Sequence, residues 1–289
     1  MKTYNALSKS FTDEVKTIIE EGKSIDEAFE DVKTAIIDNN FGEPTPTPVP
    51  DSTPAPIATP PPTPESTPTP TPKPIDVNEL TQGDGQQDGY YYVDLGLSVK
   101  WATCNVGSTL ASDDGLLFQF GRVDGYRYND NNNQFRTNAQ NKQDTGNEYI
   151  PKTASGKTYN VRETLDLADD VAYINMGGAW RMPTKDEFEE LLNNTTHKVK
   201  TINGIKGMLF TSTINGHQLF IPFAGFWWYN GNGRFAGAGS RACMWSSLSA
   251  DYTSAYKLIC YYSNGDAEIT YMGFRSDAFS VRGVFKKQE

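Results

Sequence analysis

Residues 177–192 read GGAWRMPTKDEFEELL, and this stretch decides the fold class. Thr184 followed three residues later by Glu187 is a capping box, and Pro183 just before it sets the backbone that leads in. Phe188, Leu191 and Leu192 then share one stripe, which predicts a helix over 184–194. Residues 161–174 (VRETLDLADDVAYI) carry the same spacing through Leu165, Ala168, Ala172 and Tyr173 and predict a second helix. The rest of the chain from Gly89 onward is Gly, aromatic and small polar residues with short apolar runs, the pattern of short strands joined by turns. The strand candidates are Tyr90–Val93, Val99–Ala102, Leu116–Phe118, Gly207–Thr211, Leu219–Phe223, Met244–Ser246, Ala255–Cys260, Ile269–Tyr271 and Phe279–Phe285. Two helices among short strands and long polar loops define an α+β domain, over 89–289, whose function is carried by loops.

Upstream the composition changes. Of the chain's 17 prolines, 14 lie between Pro44 and Pro74, which explains why only 37% of the 289 residues are hydrophobic. Alternating proline fixes φ and removes backbone donors, so PTPTPVPDSTPAPIATPPPTPESTPTPTPKP reads as a polyproline-II rod. At ~3.1 Å per residue such a tract reaches roughly 95 Å. Residues 75–88 (IDVNELTQGDGQQD) read as its flexible end, so 44–88 form a stalk and linker.

Ahead of the stalk, Phe11, Val15, Ile18 and Ile19 form one helical stripe that stops at Gly22. A second begins at a Ser24/Glu27 capping box and carries Ile25, Phe29, Val32 and Ile36. A helical hairpin of 43 residues cannot bury both stripes by itself. Residues 1–43 are therefore expected to be an anchor and oligomerisation segment docked to another chain.

The net charge is −10, with no basic surplus in any of the three parts, which argues against nucleic acid as a partner. Cys104, Cys243 and Cys260 form no CxxC, so a zinc knuckle or dense disulfide framework is not expected, and one disulfide stays open. Neither a signal peptide at Met1–Ser10 nor an apolar run of the ~20 residues that span a bilayer is found. The expectation is a chain with no membrane span, exported, if at all, without a Sec leader.

Five segments in order carry a resemblance: DGYYYVDLGLSVKWATCNVG at 88–107, GGAWRMPTKDEFEELL at 177–192, LFIPFAGFW at 219–227, MWSS at 244–247 and FSVRGV at 279–284. Together they resemble the Fibrobacter-type major paralogous domain, a branch of the C-type-lectin-like superfamily that includes the variable proteins of diversity-generating retroelements. The resemblance implies that the first and last strands of the domain pair. It also implies a ligand surface built by the last third, residues 225–278. That region is dense in Tyr, Trp, Asn, Ser, Gly and Arg, the composition that suits adaptable binding surfaces. The candidate contacts are Trp227, Trp228, Tyr229, Asn230, Asn232, Arg234, Arg241, Leu248, Asp251, Tyr252, Tyr261, Tyr262, Tyr271, Met272 and Arg275. Trp227/Trp228 and Tyr261/Tyr262 are adjacent pairs, so on extended backbone one of each pair points inward. Trp101, Trp180 and Trp245 are expected in the core, and Arg181 and Arg282 as scaffold cations rather than ligand contacts.

The EPN or QPD and WND triplets of calcium-dependent lectins do not occur, and Asp130–Asn133 lacks the remainder of an EF-hand loop. No metal, cofactor or catalytic residue is therefore expected. Cys243 and Cys260 distantly resemble the cysteine pair of formylglycine-generating enzymes but read as small core residues. The leading expectation is a non-enzymatic, virion-surface protein of head-fibre or tail-fibre type. Residues 1–43 would hold a capsid or tail protein, the head would bind a host-surface glycan or protein, and the chain would be a homo-oligomer, with a trimer foremost. A bacterial cell-surface adhesin or scaffold is the alternative, and a formylglycine-generating-type oxidase the third reading.

Overall fold

The Asp76 side chain accepts the Asn78 N–H at 2.8 Å and caps helix α1 (Val77–Gln82). The computed structural model describes residues 76–128, 135, 150–229 and 233–286. The chain divides into two units, Met1–Thr69 and Pro70–Glu289, and every described residue belongs to the second. The anchor candidates Phe11, Val15, Ile18, Ile19, Ile25, Phe29, Val32 and Ile36, the proline tract, Asn230 and Asn232 all lie outside the described residues.

Helix α1 corrects the reading of 75–88 as a flexible linker end. Leu80 on α1 is buried with Ala111, Ile202, Leu209 and Phe220, so the helix is part of the folded domain. Leu80 and the partly buried Val77 carry the apolar packing, and so short a signal is invisible to a periodicity argument. Gly83 behind it has φ +51°, and a Cβ there would lie 2.3 Å from the Tyr92 carbonyl oxygen, so no other residue fits without displacement.

The fold is α+β and rich in strand. Strands β1 (Gly85–Gln87), β2 (Tyr90–Val93), β3 (Lys100–Ala102) and β14 (Val284–Phe285) form one sheet in that order. Val284 faces Trp101 across it, so the first and last parts of the domain are neighbours. The hairpins of β5 (Thr195–Ile202), β6 (Ile205–Ser212) and β7 (Gln218–Pro222) make a three-stranded sheet. The largest sheet runs β12 (Ala267–Phe274), β11 (Ser254–Tyr261), β10 (Arg241–Ser249), β8 (Ala224–Trp228), β13 (Ala278–Phe279), β4 (Phe118–Gln119), with β9 (Arg234–Ala238) paired to β8. Strands β1, β5, β8 and β9 were not anticipated; β5 reads TTHKVKTI, a polar strand held by its pairing to β6 rather than by its own hydrophobicity.

The capping box forms as expected: Thr184 accepts the Glu187 N–H, Glu187 accepts the Thr184 N–H, and helix α3 (Lys185–Asn193) follows. The other helix is shorter than the periodicity predicts. Only helix α2 (Val171–Met176) and a 3-10 turn, Leu167–Asp169, are helical, while Leu165 donates its N–H to the Ser247 carbonyl at 2.9 Å. The adjacent aspartates cause the break. Asp169 turns inward to accept Tyr159 Oη and Ser155 Oγ, both at 2.6 Å, and Asp170 takes extended backbone to cap α2 and accept the Met182 N–H.

Both faces of β10 are covered. Cys243 and Trp245 join Ile259, Phe279 and Trp180 in one core, whereas Ala242 and Met244 join Leu258, Trp101 and Phe188 in the other. Trp101, Trp180 and Trp245 are fully buried. Arg181 pairs with Glu187, with one Nη1–Oε2 bond of 2.8 Å. Burial opposes ionisation of Glu187, but Arg181 and the Thr184 N–H outweigh it and hold the carboxyl below its usual range. Arg282 is fully buried and donates to the Ala102 and Phe220 carbonyls at 3.2 Å each, and burial lowers its pKa to about 10.

Candidate ligand-binding surface

Residues 225–278, the expected ligand surface, are mostly strand, from β8 through β12. The ladder then decides which candidates reach solvent. Trp227 and Tyr229 do not: they are buried with Leu117, Phe135 and Ala278. Trp228 is half-buried on the opposite side of the strand, so the expectation that one of that pair points inward is met by Trp227. Of the tyrosine pair neither is fully buried: Tyr261 is half-buried and Tyr262 is 46% exposed.

Arg275 is also corrected, from contact to scaffold. It is 2% exposed, and its guanidinium donates to the carbonyls of Tyr159 (2.8 Å), Asn160 (3.3 Å), Asp251 (2.5 Å) and Ser254 (3.4 Å). That cation holds the 159–160 segment to the β10–β11 turn. Asp251 acts in the same turn, accepting the N–H groups of Thr253 (2.8 Å) and Ser254 (2.7 Å). Burial disfavours its charge, but those bonds prevail and keep its pKa low.

The remaining candidates separate into three places. Trp228 and Arg234 face each other across the β8–β9 hairpin, with the guanidinium carbon 4.9 Å from the ring centroid. Arg241, Tyr261 and Tyr262 sit where β10 begins and β11 ends. Leu248, Tyr252, Tyr271 and Met272 lie toward the other end of that ladder, roughly 25 Å away at ~3.3 Å per residue. Tyr252, Tyr271 and Met272 are 60%, 59% and 77% exposed. Phe274, exposed in the same strand, was missed; its signal was the aromatic density already used for its neighbours.

Beneath the surface lie two buried ionisable side chains that sequence reasoning did not find. Asp277 is 3% exposed and accepts the Tyr229 N–H at 2.9 Å. Burial pushes its pKa up to about 6, against the opposing pull of that N–H and of Lys257. Lys257 is itself buried, with its ammonium 4.3 Å from the Phe279 ring centroid.

Cys243 and Cys260 are free, and the ladder explains why they do not bridge. Cys243 faces Ile259 and Cys260 faces Ala242, one position out of step, so the two thiols enter different cores. Burial pushes the Cys243 thiol up to about 11 and raises Cys260 as well, which suppresses the reactive thiolate. Iodoacetamide applied to the native protein at neutral pH should leave both unmodified, with alkylation appearing by peptide mass spectrometry only after denaturant; labelling of either thiol in the folded state would overturn this. Among the described residues no group of three His, Cys, Asp or Glu side chains is placed to hold a metal. Comparisons with protein-family models, curated proteins and solved structures found no match to the chain.

Proposed function

We propose that the chain is a non-enzymatic display protein of head-fibre or tail-fibre type, in which a C-type-lectin-like head binds a host-surface glycan or protein. Residues 1–43 dock on a capsid or tail protein, the Pro/Thr tract is the stalk, and the chain acts as a homo-oligomer, in trimeric form. The observation that carries the reading is the exposure of Tyr252, Tyr271 and Met272. Large side chains of this kind grouped on a strand-built scaffold mark an interaction surface. Pairing of β3, near the start of the domain, with the last strand β14 and the five ordered motifs support the lectin-like assignment.

The test is a phage carrying the gene with residues 1–43 deleted. Purified particles should lack the protein by mass spectrometry, while the separately expressed deletion variant keeps the melting transition of its head. Particles that still contain it would refute the anchor. Recovery of the intact chain from the bacterial envelope, and not from particles, would replace the reading with a cell-surface adhesin.

A further inference from the structure

A cavity of about 640 Å³ opens beside the turn between β11 and β12, lined by His197, Arg241, Tyr261, Asn264, Asp266 and Glu268 among others. Strand β5 supplies one wall: Val199, two residues beyond His197 and on the same side of the strand, packs on the same core as Ala267 and Ile269, and its Cγ2 would lie 3.9 Å from a Cβ on Gly265 in the turn. That packing brings a histidine from one sheet against the end of another.

The polar groups are unevenly satisfied. Tyr261 donates its hydroxyl to Glu268 Oε1 at 2.8 Å, while Glu268 Oε2 takes no hydrogen bond among the described residues. Arg241 lies 5.7 Å over the Tyr261 ring and makes no ion pair or hydrogen bond with its guanidinium among the described residues. His197 Nδ1 is buried and also without a partner. Asn264 Nδ2 donates to Asp266 Oδ2 at 2.5 Å.

We infer that this cavity takes a neutral, polyhydroxylated sugar ring, so that the head recognises a glycan; the inference rests on the binding role proposed above. A free anion meets the carboxylates of Asp266 and Glu268, and a free cation meets Arg241. A hydroxyl group donates and accepts at once, so adjacent ring hydroxyls satisfy the guanidinium and the carboxylates together. The volume lies within the range of small-molecule sites, and the convergent polar groups supply orientation.

Only two histidines occur in the chain, His197 and His217. Their imidazole Cε1–H resonances in the full-length protein therefore give a clean reporter. The probes are methyl α-glucoside, α-galactoside and α-mannoside with N-acetylglucosamine, each titrated to tens of millimolar. At least one should shift His197 saturably and leave His217 in place, equally in calcium and in EDTA. Arg241→Met and Glu268→Gln should each weaken that sugar at least tenfold without changing the melting temperature. A galactomannan and a high-mannose glycopeptide, titrated in parallel, identify by the tighter binder whether a wall polysaccharide or a glycoprotein is the source.

The inference is overturned if no probe moves His197, if both histidines move together, or if both variants bind as the parent does. It falls alone if the chain still decorates host cells without sugar binding; if cell binding is absent as well, the proposed function falls with it.

Discussion

Trp245→Ala should lower the stability of the folded domain by about 3–5 kcal/mol, the cost of emptying a large buried aromatic site. Trp245 is fully buried, packs at a tilt against Phe279 with ring centroids 4.2 Å apart and edge-to-face against Phe120 at 5.5 Å, and donates Nε1–H to the Phe118 carbonyl at 2.8 Å. It therefore ties β10 to β13 and β4 through one side chain. Domains of this size have about 5–15 kcal/mol in all, so the variant should sit near its unfolding threshold at 37 °C. Urea denaturation is the measurement. The midpoint should fall with little change in slope, and Trp245→Phe should recover much of the loss, because it restores the ring and forfeits the hydrogen bond. A Trp245→Ala midpoint equivalent to less than about 1 kcal/mol would show that this residue does not organise the core.

Asp277→Asn should stabilise the protein at neutral pH. The carboxyl titrates near 6 in the fold against a reference of 3.8, so folding favours its protonated form. Its contribution is therefore most favourable below pH 3.8 and is lost as pH rises through 6. At ~1.4 kcal/mol per pKa unit the loss above pH 7 is at most about 3 kcal/mol. Asparagine keeps an oxygen for the Tyr229 N–H and carries no charge, and the uncompensated Lys257 reduces the gain. Urea midpoints for parent and variant at pH 4, 5, 6 and 7 should diverge steadily in the variant's favour. Carboxyls held low, such as Glu187 and Asp251, change both proteins alike and cancel in the difference. A constant difference across that range would mean that Asp277 is already ionised at pH 4.

Local chemistry made much of the fold legible. Thr184 and Glu187 announced α3, the aromatic density of the domain announced a tryptophan-rich core, and the alternation of Trp227 and Trp228 announced that one of them is inside. The candidate site was less legible. Arg275 looks like any other arginine in a polar stretch, and only the four carbonyls gathered around it make it a scaffold cation. His197 and Glu268 lie 71 positions apart in the chain, and no spacing rule joins them. Contact between β5 and the β11–β12 turn does so.

The 177–192 stretch by itself thus determined a capped helix behind a buried tryptophan, and with the runs around it an α+β domain. Caps and periodicities act within a few residues, so they survive without any knowledge of the fold. Which of two adjacent aromatics faces solvent, whether Cys243 can meet Cys260, and where the polar groups of a cavity converge were decided only by the tertiary structure. Those outcomes depend on register across a ladder, and a shift of one position there sends a side chain to the other face of the sheet.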